Sequence, residues 1–216
     1  MDSVFSKLQK GGVQITTTPS ELLFYNDLEK RRLRLFGQIP SNSKIDEFDP
    51  DQTITQELVW QILRYNSDDK DKKPEDRQPI VLYIDSPGGD ITEGFSLIST
   101  IKASKTPVWT VNIGEWSSMG FLIGIAGKRR FSLKHVTFLM HDGSFFTYDS
   151  GSKAQDRAKF NERFQKEIIK KHVLECTKIN EALYEQRLRE EWYMLASDAK
   201  EYGVIDEIVE TLDEIV

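Results

Sequence analysis

With 216 residues, of which 38% are hydrophobic and 30% charged, the chain can bury one sizeable core, and a single domain over 1–216 is expected. Its net charge of −6 lacks the basic signature of a general nucleic-acid binder. No apolar run approaches the roughly 18–20 residues of a membrane span. Cys176 is the single cysteine, so no internal disulfide can form, which fits a reducing compartment. The opening MDSVFSKLQKGG carries no apolar signal stretch, so the cytoplasm is the expected location.

Residues 1–20 are polar, without a clear period, and are expected to be mobile or partner-dependent. RRLRLFGQI at 31–39 predicts a short strand ending at a Gly turn. In TITQELVWQILRY, 53–65, Leu58, Ile62 and Leu63 have helical spacing. NSDDKDKKPEDRQ, 66–78, contains no apolar residue and predicts a solvated surface loop. PIVLYID at 79–85 has the density of a strand buried on both faces. Beyond Gly88 and Gly89, Ile91, Phe95 and Ile98 share a helical face. PVWTVNI at 107–113 predicts a second buried strand, MGFLIGIAG at 119–127 a buried helix, and FSLKHVTFLMH at 131–141 a third strand. This alternation implies parallel pairing with right-handed crossovers. A long helix is predicted over about 153–176. Phe160, Phe164 and Ile168 lie four apart on it, and Ile169 and Val173 form a neighbouring row. EALYEQRLREE continues as an amphipathic segment to Glu191. SDAKEYGVIDEIV predicts a short helix, a stop at Gly203 and a closing strand.

Three stretches at the ends of apolar runs carry the chemistry: IDSPGGD at 84–90, GEWSSMG at 114–120 and FLMHDGS at 138–144. Open parallel sheets bind ligands at the carboxyl ends of their strands. Gly89, lacking Cβ, lets backbone approach a substrate and aim its N–H at it, although a tight strand–helix turn has the same composition. Neither GxxxxGK[ST] nor GxGxxG is present, so this is no phosphate loop. Ser117 and Ser118 follow a strand and open a helix. The dipole and free N–H groups there favour developing negative charge, and serine is also a preferred N-cap. The N–H groups of Met119 and Gly89 are candidate oxyanion donors. The G-x-S-x-G elbow does not fit, because Trp116 stands two residues before Ser118. Of the three histidines, His172 is expected to be exposed on the long helix and His135 to lie mid-strand. His141 ends its strand on the side where the Ser118 helix begins, and is the candidate base.

These stretches, in this order, resemble the Clp protease proteolytic subunits of the ClpP/crotonase superfamily, from about Leu33 to the C-terminus. The family's NSPGG appears as DSPGG at 85–89, and its Ser-Met as Ser118-Met119. Its Met-x-His appears as Leu139-Met140-His141, and its A-x-E-Y-G-x-x-D runs from Ala199 to Asp206. The resemblance implies an α/β fold of repeated β-β-α units, with mostly parallel sheets flanked by helices and a protruding helix–strand handle over 142–176. It implies Ser118 as nucleophile, His141 as general base, and Gly89 and Met119 as oxyanion donors. Where the family places its third member, an aspartate, this chain has Glu191, with Glu190 as a less favoured substitute. Three further departures are Asp142-Gly143 in place of Gln-Pro, a longer 66–78 loop, and Leu195 in place of a Ser or Thr cap.

The resemblance further implies a serine endopeptidase acting on unfolded polypeptides, without metal or organic cofactor. Its subunits would form heptameric rings stacked into a tetradecamer, with residues 1–20 at the axial pore. A hexameric AAA+ ATPase would feed it, since this chain has no Walker motif. Two rivals are a silent, ClpR-like scaffold subunit and a crotonase-type acyl-CoA enzyme. The latter shares a backbone oxyanion hole but needs no Ser–His pair.

Overall fold

The computed structural model describes residues 27–41, 55–143 and 150–215. Strand β1 (Arg32–Ile39) leads to helix α1 (Thr55–Asp68), then β2 (Ile80–Gly89), α2 (Ile91–Ala103) and β3 (Val108–Ser117). A short helix α3 (Met119–Gly124) precedes β4 (Arg129–Ser132) and β5 (Thr137–Met140). Helix α4 (Gly151–Phe164) passes through a π-helical turn (Gln165–Ile169) into α5 (Lys170–Cys176). The chain closes with α6 (Glu181–Arg187), β6 (Trp192–Leu195), α7 (Ala196–Glu201) and β7 (Glu207–Ile208).

The strands form one sheet in the order β1-β2-β3-β4-β7, all neighbours parallel. The predicted α/β class and parallel pairing hold. Alternation along β2 divides the core: Ile80, Leu82 and Ile84 join the large cluster under the helices. Val81 packs on the other face with Val111, Phe131, Val209 and Ile215. Burying both faces is what makes PIVLYID read as an unbroken apolar run. Among the described residues, no helix is long and apolar enough to cross a membrane.

The third predicted strand is in fact two. β3 forks: residues 109–112 pair with β4, and 115–117 pair with β5. Asn112, fully buried, holds the fork. Its Nδ2 donates to the Thr137 carbonyl at 3.0 Å and its Oδ1 accepts from the Gly114 N–H at 3.0 Å. His135 therefore lies exposed in the β4–β5 connection, not mid-strand. Three smaller corrections concern the first half of the chain. β1 does not end at Gly37 but passes it in a bulge between Phe36 and Gln38. On α1, Leu58 and Ile62 are buried as expected, but Leu63 faces outward and Tyr65 takes the inner place. The 66–78 segment is not wholly solvated. Asp69 is completely buried, held by Arg31 at 2.5 and 2.8 Å, Lys72 at 2.8 Å and Thr106 at 3.0 Å.

The long helix forms, with Ile169 and Val173 buried and Phe160 and Ile168 on its outer side. The axial segment expected at 1–20 lies outside the described residues, as does the part of the 142–176 handle at 144–149.

Candidate active site

The residues singled out in the sequence meet at the carboxyl ends of β2, β3 and β5. β3 ends at Ser117 and α3 begins at Met119, so Ser118 is the whole turn. Its φ of 54° and ψ of −117° lie outside the regions that L-residues favour. Such a backbone stores about 1–3 kcal/mol and persists only when its surroundings fix it. Here the Ser118 N–H donates to Leu139 O at 3.0 Å, and the Ser118 carbonyl accepts from Leu122 N at 3.2 Å. The hydroxyl is thereby held out of the helix. Ser117, 6% exposed, is spoken for: its Oγ donates to Glu115 Oε2 at 2.8 Å. The two adjacent serines are thus distinguished by partner.

The DSPGG turn packs directly under Ser118. At Gly88 (φ +95°) a Cβ would lie 2.7 Å from both Met119 N and Ser117 O. At Gly89 (φ +145°) a Cβ would lie 2.2 Å from Ile39 O. Only glycine fits either place. Ile39 is opposite Gly89, and its carbonyl accepts from Asp90 N at 3.0 Å. In a parallel ladder the opposed residue turns its own N–H the other way. The Gly89 N–H therefore points away from β1, to the side of the Ser118 turn. The Met119 N–H, in the first turn of α3, has no carbonyl within its helix to bond. Ser86, which the sequence analysis passed over, locks this corner: its Oγ donates to Gly37 O at 2.7 Å and accepts from Gly88 N at 3.1 Å.

β5 and β6 pair antiparallel, with Met140 opposite Trp192. That register sets the next residues, His141 and Glu191, side by side. His141 Nδ1 lies 2.9 Å from Glu191 Oε1. An ionised carboxylate can only accept, so Nδ1 carries a proton, and in the neutral ring Nε2 is then the basic nitrogen. Nε2 is buried and has no hydrogen-bond partner among the described residues. His141, Ser118 and Met119 line one cavity. Glu190 does not compete for the imidazole: its carboxylate accepts from Arg187 Nη1 at 2.6 Å. The Tyr193 hydroxyl, another residue the sequence analysis missed, reaches Glu191 Oε2 at 3.5 Å.

His172 is not exposed as expected but 4% exposed, because α5 packs back onto α3. Its Nε2 lies 2.8 Å from Leu122 O, and burial pushes its pKa down to about 4. The ring is neutral at pH 7 and donates to that carbonyl, tying α5 to the helix behind Ser118. Cys176 Sγ sits 3.5 Å from His172 Nδ1, and burial pushes the thiol's pKa up. Leu195 does leave α7 without a side-chain cap. Asp198 compensates by accepting from the Leu195 N–H at 3.0 Å. Among the described residues, no group of His, Cys, Asp or Glu is placed to hold a metal ion.

Comparison with known proteins gives the family. The family model described as Clp protease matches residues 35–212. The chain is 32% identical over 169 residues to the ATP-dependent Clp protease proteolytic subunit 1 of Streptomyces avermitilis, a match covering 76% of this chain and 74% of that protein. It is 34% identical over 164 residues to the ATP-dependent Clp protease proteolytic subunit 2 of Prochlorococcus marinus subsp. pastoris, covering 72% of this chain and 76% of that protein. Fold, turn geometry and sequence likeness together establish that the chain belongs to the Clp protease family.

Proposed function

We propose that this chain is a Clp-type serine peptidase subunit in which Ser118, His141 and Glu191 form the catalytic triad. Ser118 Oγ attacks a peptide carbonyl. His141 Nε2 takes the hydroxyl proton and returns it to the leaving amine. Glu191 holds the ring in the required tautomer and stabilises the imidazolium. The Gly89 and Met119 N–H groups receive the tetrahedral oxyanion, a role in which one donor is worth about 10²–10³ in rate. Water then hydrolyses the acyl-enzyme, and no step needs a metal or organic cofactor. The observation that carries this reading is the 2.9 Å contact between His141 Nδ1 and Glu191, which leaves Nε2 unpaired in the cavity that Ser118 also lines.

The relatives' names, ATP-dependent and proteolytic subunit, support a wider proposal. Subunits of this chain assemble as heptameric rings stacked into a tetradecamer in the cytoplasm, and a separate AAA+ ATPase feeds them unfolded polypeptides. The silent scaffold reading loses force because serine, histidine and carboxylate are all retained. The crotonase reading loses force because it has no use for the Ser118–His141 pair.

The test is fluorophosphonate labelling and peptide cleavage by the assembled wild type and Ser118→Ala, with particle mass measured alongside. Wild type is expected to label and cleave, and Ser118→Ala to do neither at unchanged mass. A tetradecamer that neither labels nor cleaves would be the scaffold subunit instead.

A further inference from the structure

At the opposite end of β3 from Ser118 lies a cavity of about 600 Å³, within the size range of small-molecule sites. Helices α2, α3 and α5 all end at it, with Ala103, Gly124 and Cys176 as their last residues. Its floor is aliphatic, formed by the buried side chains of Ile101, Val108 and Ile125. Its walls carry four cationic side chains, Lys102, Lys105, Lys128 and Arg130, against one carboxylate, Glu175. The chain as a whole has a net charge of −6, so the local excess of positive charge runs against its composition.

Helix ends attract cations, because their last carbonyls carry partial negative charge. Here those carbonyls have other partners. Ile101 O accepts from Ser104 N at 3.2 Å, Gly124 O from the Thr110 hydroxyl at 2.7 Å, and Cys176 O from Arg130 Nη1. The same Arg130 donates to Gly203 O and to Asp206. Lys102 lies 3.6 Å from Glu175. The ammonium groups of Lys105 and Lys128 have no partner among the described residues. Their backbones are nonetheless pinned: Lys105 N donates to Asn66 Oδ1 at 2.9 Å, and Lys128 N to Val108 O at 2.7 Å. Two unpaired ammonium groups are thus rooted on fixed backbone beside an apolar floor. A concave site lined by one sign of charge focuses its field and concentrates the opposite ion. Lysine is a common phosphate binder.

We infer that this cavity binds a phosphorylated small molecule, with its phosphates held by Lys105 and Lys128 and its apolar body on the floor of Ile101, Val108 and Ile125. The inference is independent of the peptidase reading, since none of these residues belongs to the proposed triad or oxyanion hole.

The test is isothermal titration calorimetry on the full chain, in magnesium-free buffer at low ionic strength, with ATP, tripolyphosphate and adenosine as probes. The proteins are wild type, Lys105→Gln/Lys128→Gln, and Lys159→Gln/Lys166→Gln, which removes the same charge from the long helix instead. All four lysines are exposed, so neither pair of substitutions disturbs the core. Wild type is expected to bind ATP saturably at one site per chain, more tightly than tripolyphosphate, with adenosine weakest. The Kd for ATP should rise about tenfold or more in Lys105→Gln/Lys128→Gln and less than about twofold in Lys159→Gln/Lys166→Gln. Absence of saturable ATP binding, an equal loss in both variants, or adenosine binding as tightly as ATP overturns the inference. Tripolyphosphate binding as tightly as ATP overturns the part given to the apolar floor.

Discussion

In the proposed triad, Glu191 and its neighbours govern how well His141 acts as base. The carboxylate is 57% exposed on its side chain, so solvent screens its charge more than in a buried triad. Its value is therefore weighted toward fixing the tautomer. Glu191→Ala is expected to lower kcat/KM by about 10²–10³, below the roughly 10⁴ of a buried triad aspartate. A rate within twofold of wild type would remove Glu191 from the mechanism. At 3.5 Å the Tyr193 hydroxyl is at the limit of hydrogen-bond reach, so Tyr193→Phe should change kcat/KM by no more than about threefold. Ser118 and His141 were legible as candidates because each ends an apolar run in a recognisable motif. The choice of Glu191 over Glu190 was not settled by the residues themselves, since two adjacent glutamates have identical chemistry. It follows from the register of β5 on β6 and from the capture of Glu190 by Arg187.

Elements meet at two places where single residues hold the architecture. One is the contact between the DSPGG turn and the start of α3. Gly88→Ala would thrust a Cβ to 2.7 Å from Met119 N, in a backbone region alanine disfavours. It should abolish fluorophosphonate labelling while far-UV circular dichroism remains, since the strain falls on the Ser118 turn. The other is the fork of β3. Asn112→Leu removes both staples, taking from the Thr137 carbonyl and the Gly114 N–H the bonds that Asn112 makes to them. A loss of about 2–4 kcal/mol is expected in urea unfolding. The sequence carried a signal here, a lone amide inside the apolar run PVWTVNI. A polar side chain in a buried strand has to be satisfied by something, and in this chain the partners come from the split in the sheet.

Across the whole subunit, two buried ionisable groups set the response to acid in different pH windows. His172 has a folded pKa near 4, below its unfolded value of 6.5, so the unfolded chain binds the extra proton between them. Stability therefore falls as pH drops from about 6.5 toward about 4, by about 2 kcal/mol at pH 5. His172→Gln should flatten that part of the curve of urea midpoint against pH. Asp69 acts lower: the Arg31 guanidinium bonded to it holds its carboxyl well below the usual range. Its contribution is present above the unfolded carboxylate pKa and is lost only in stronger acid. Asp69→Ala, which leaves Arg31 largely buried and unpaired, should cost about 3–5 kcal/mol at pH 7.

The sequence by itself determined the α/β class, the parallel order of the first strands, the helix faces around Leu58, Ile62, Ile98 and Val173, and the motifs bearing Ser118 and His141. Those properties follow from local periodicity, and from backbone demands that only glycine meets. Tertiary structure decided the rest. It split the 131–141 segment between two halves of β3, buried His172 and Asp69, separated Ser117 from Ser118, set Glu191 rather than Glu190 against His141, and brought Gln165 against Tyr184. Each of these depends on a partner far away in the chain, and polar side chains read alike in sequence whether they face water or a partner inside the fold.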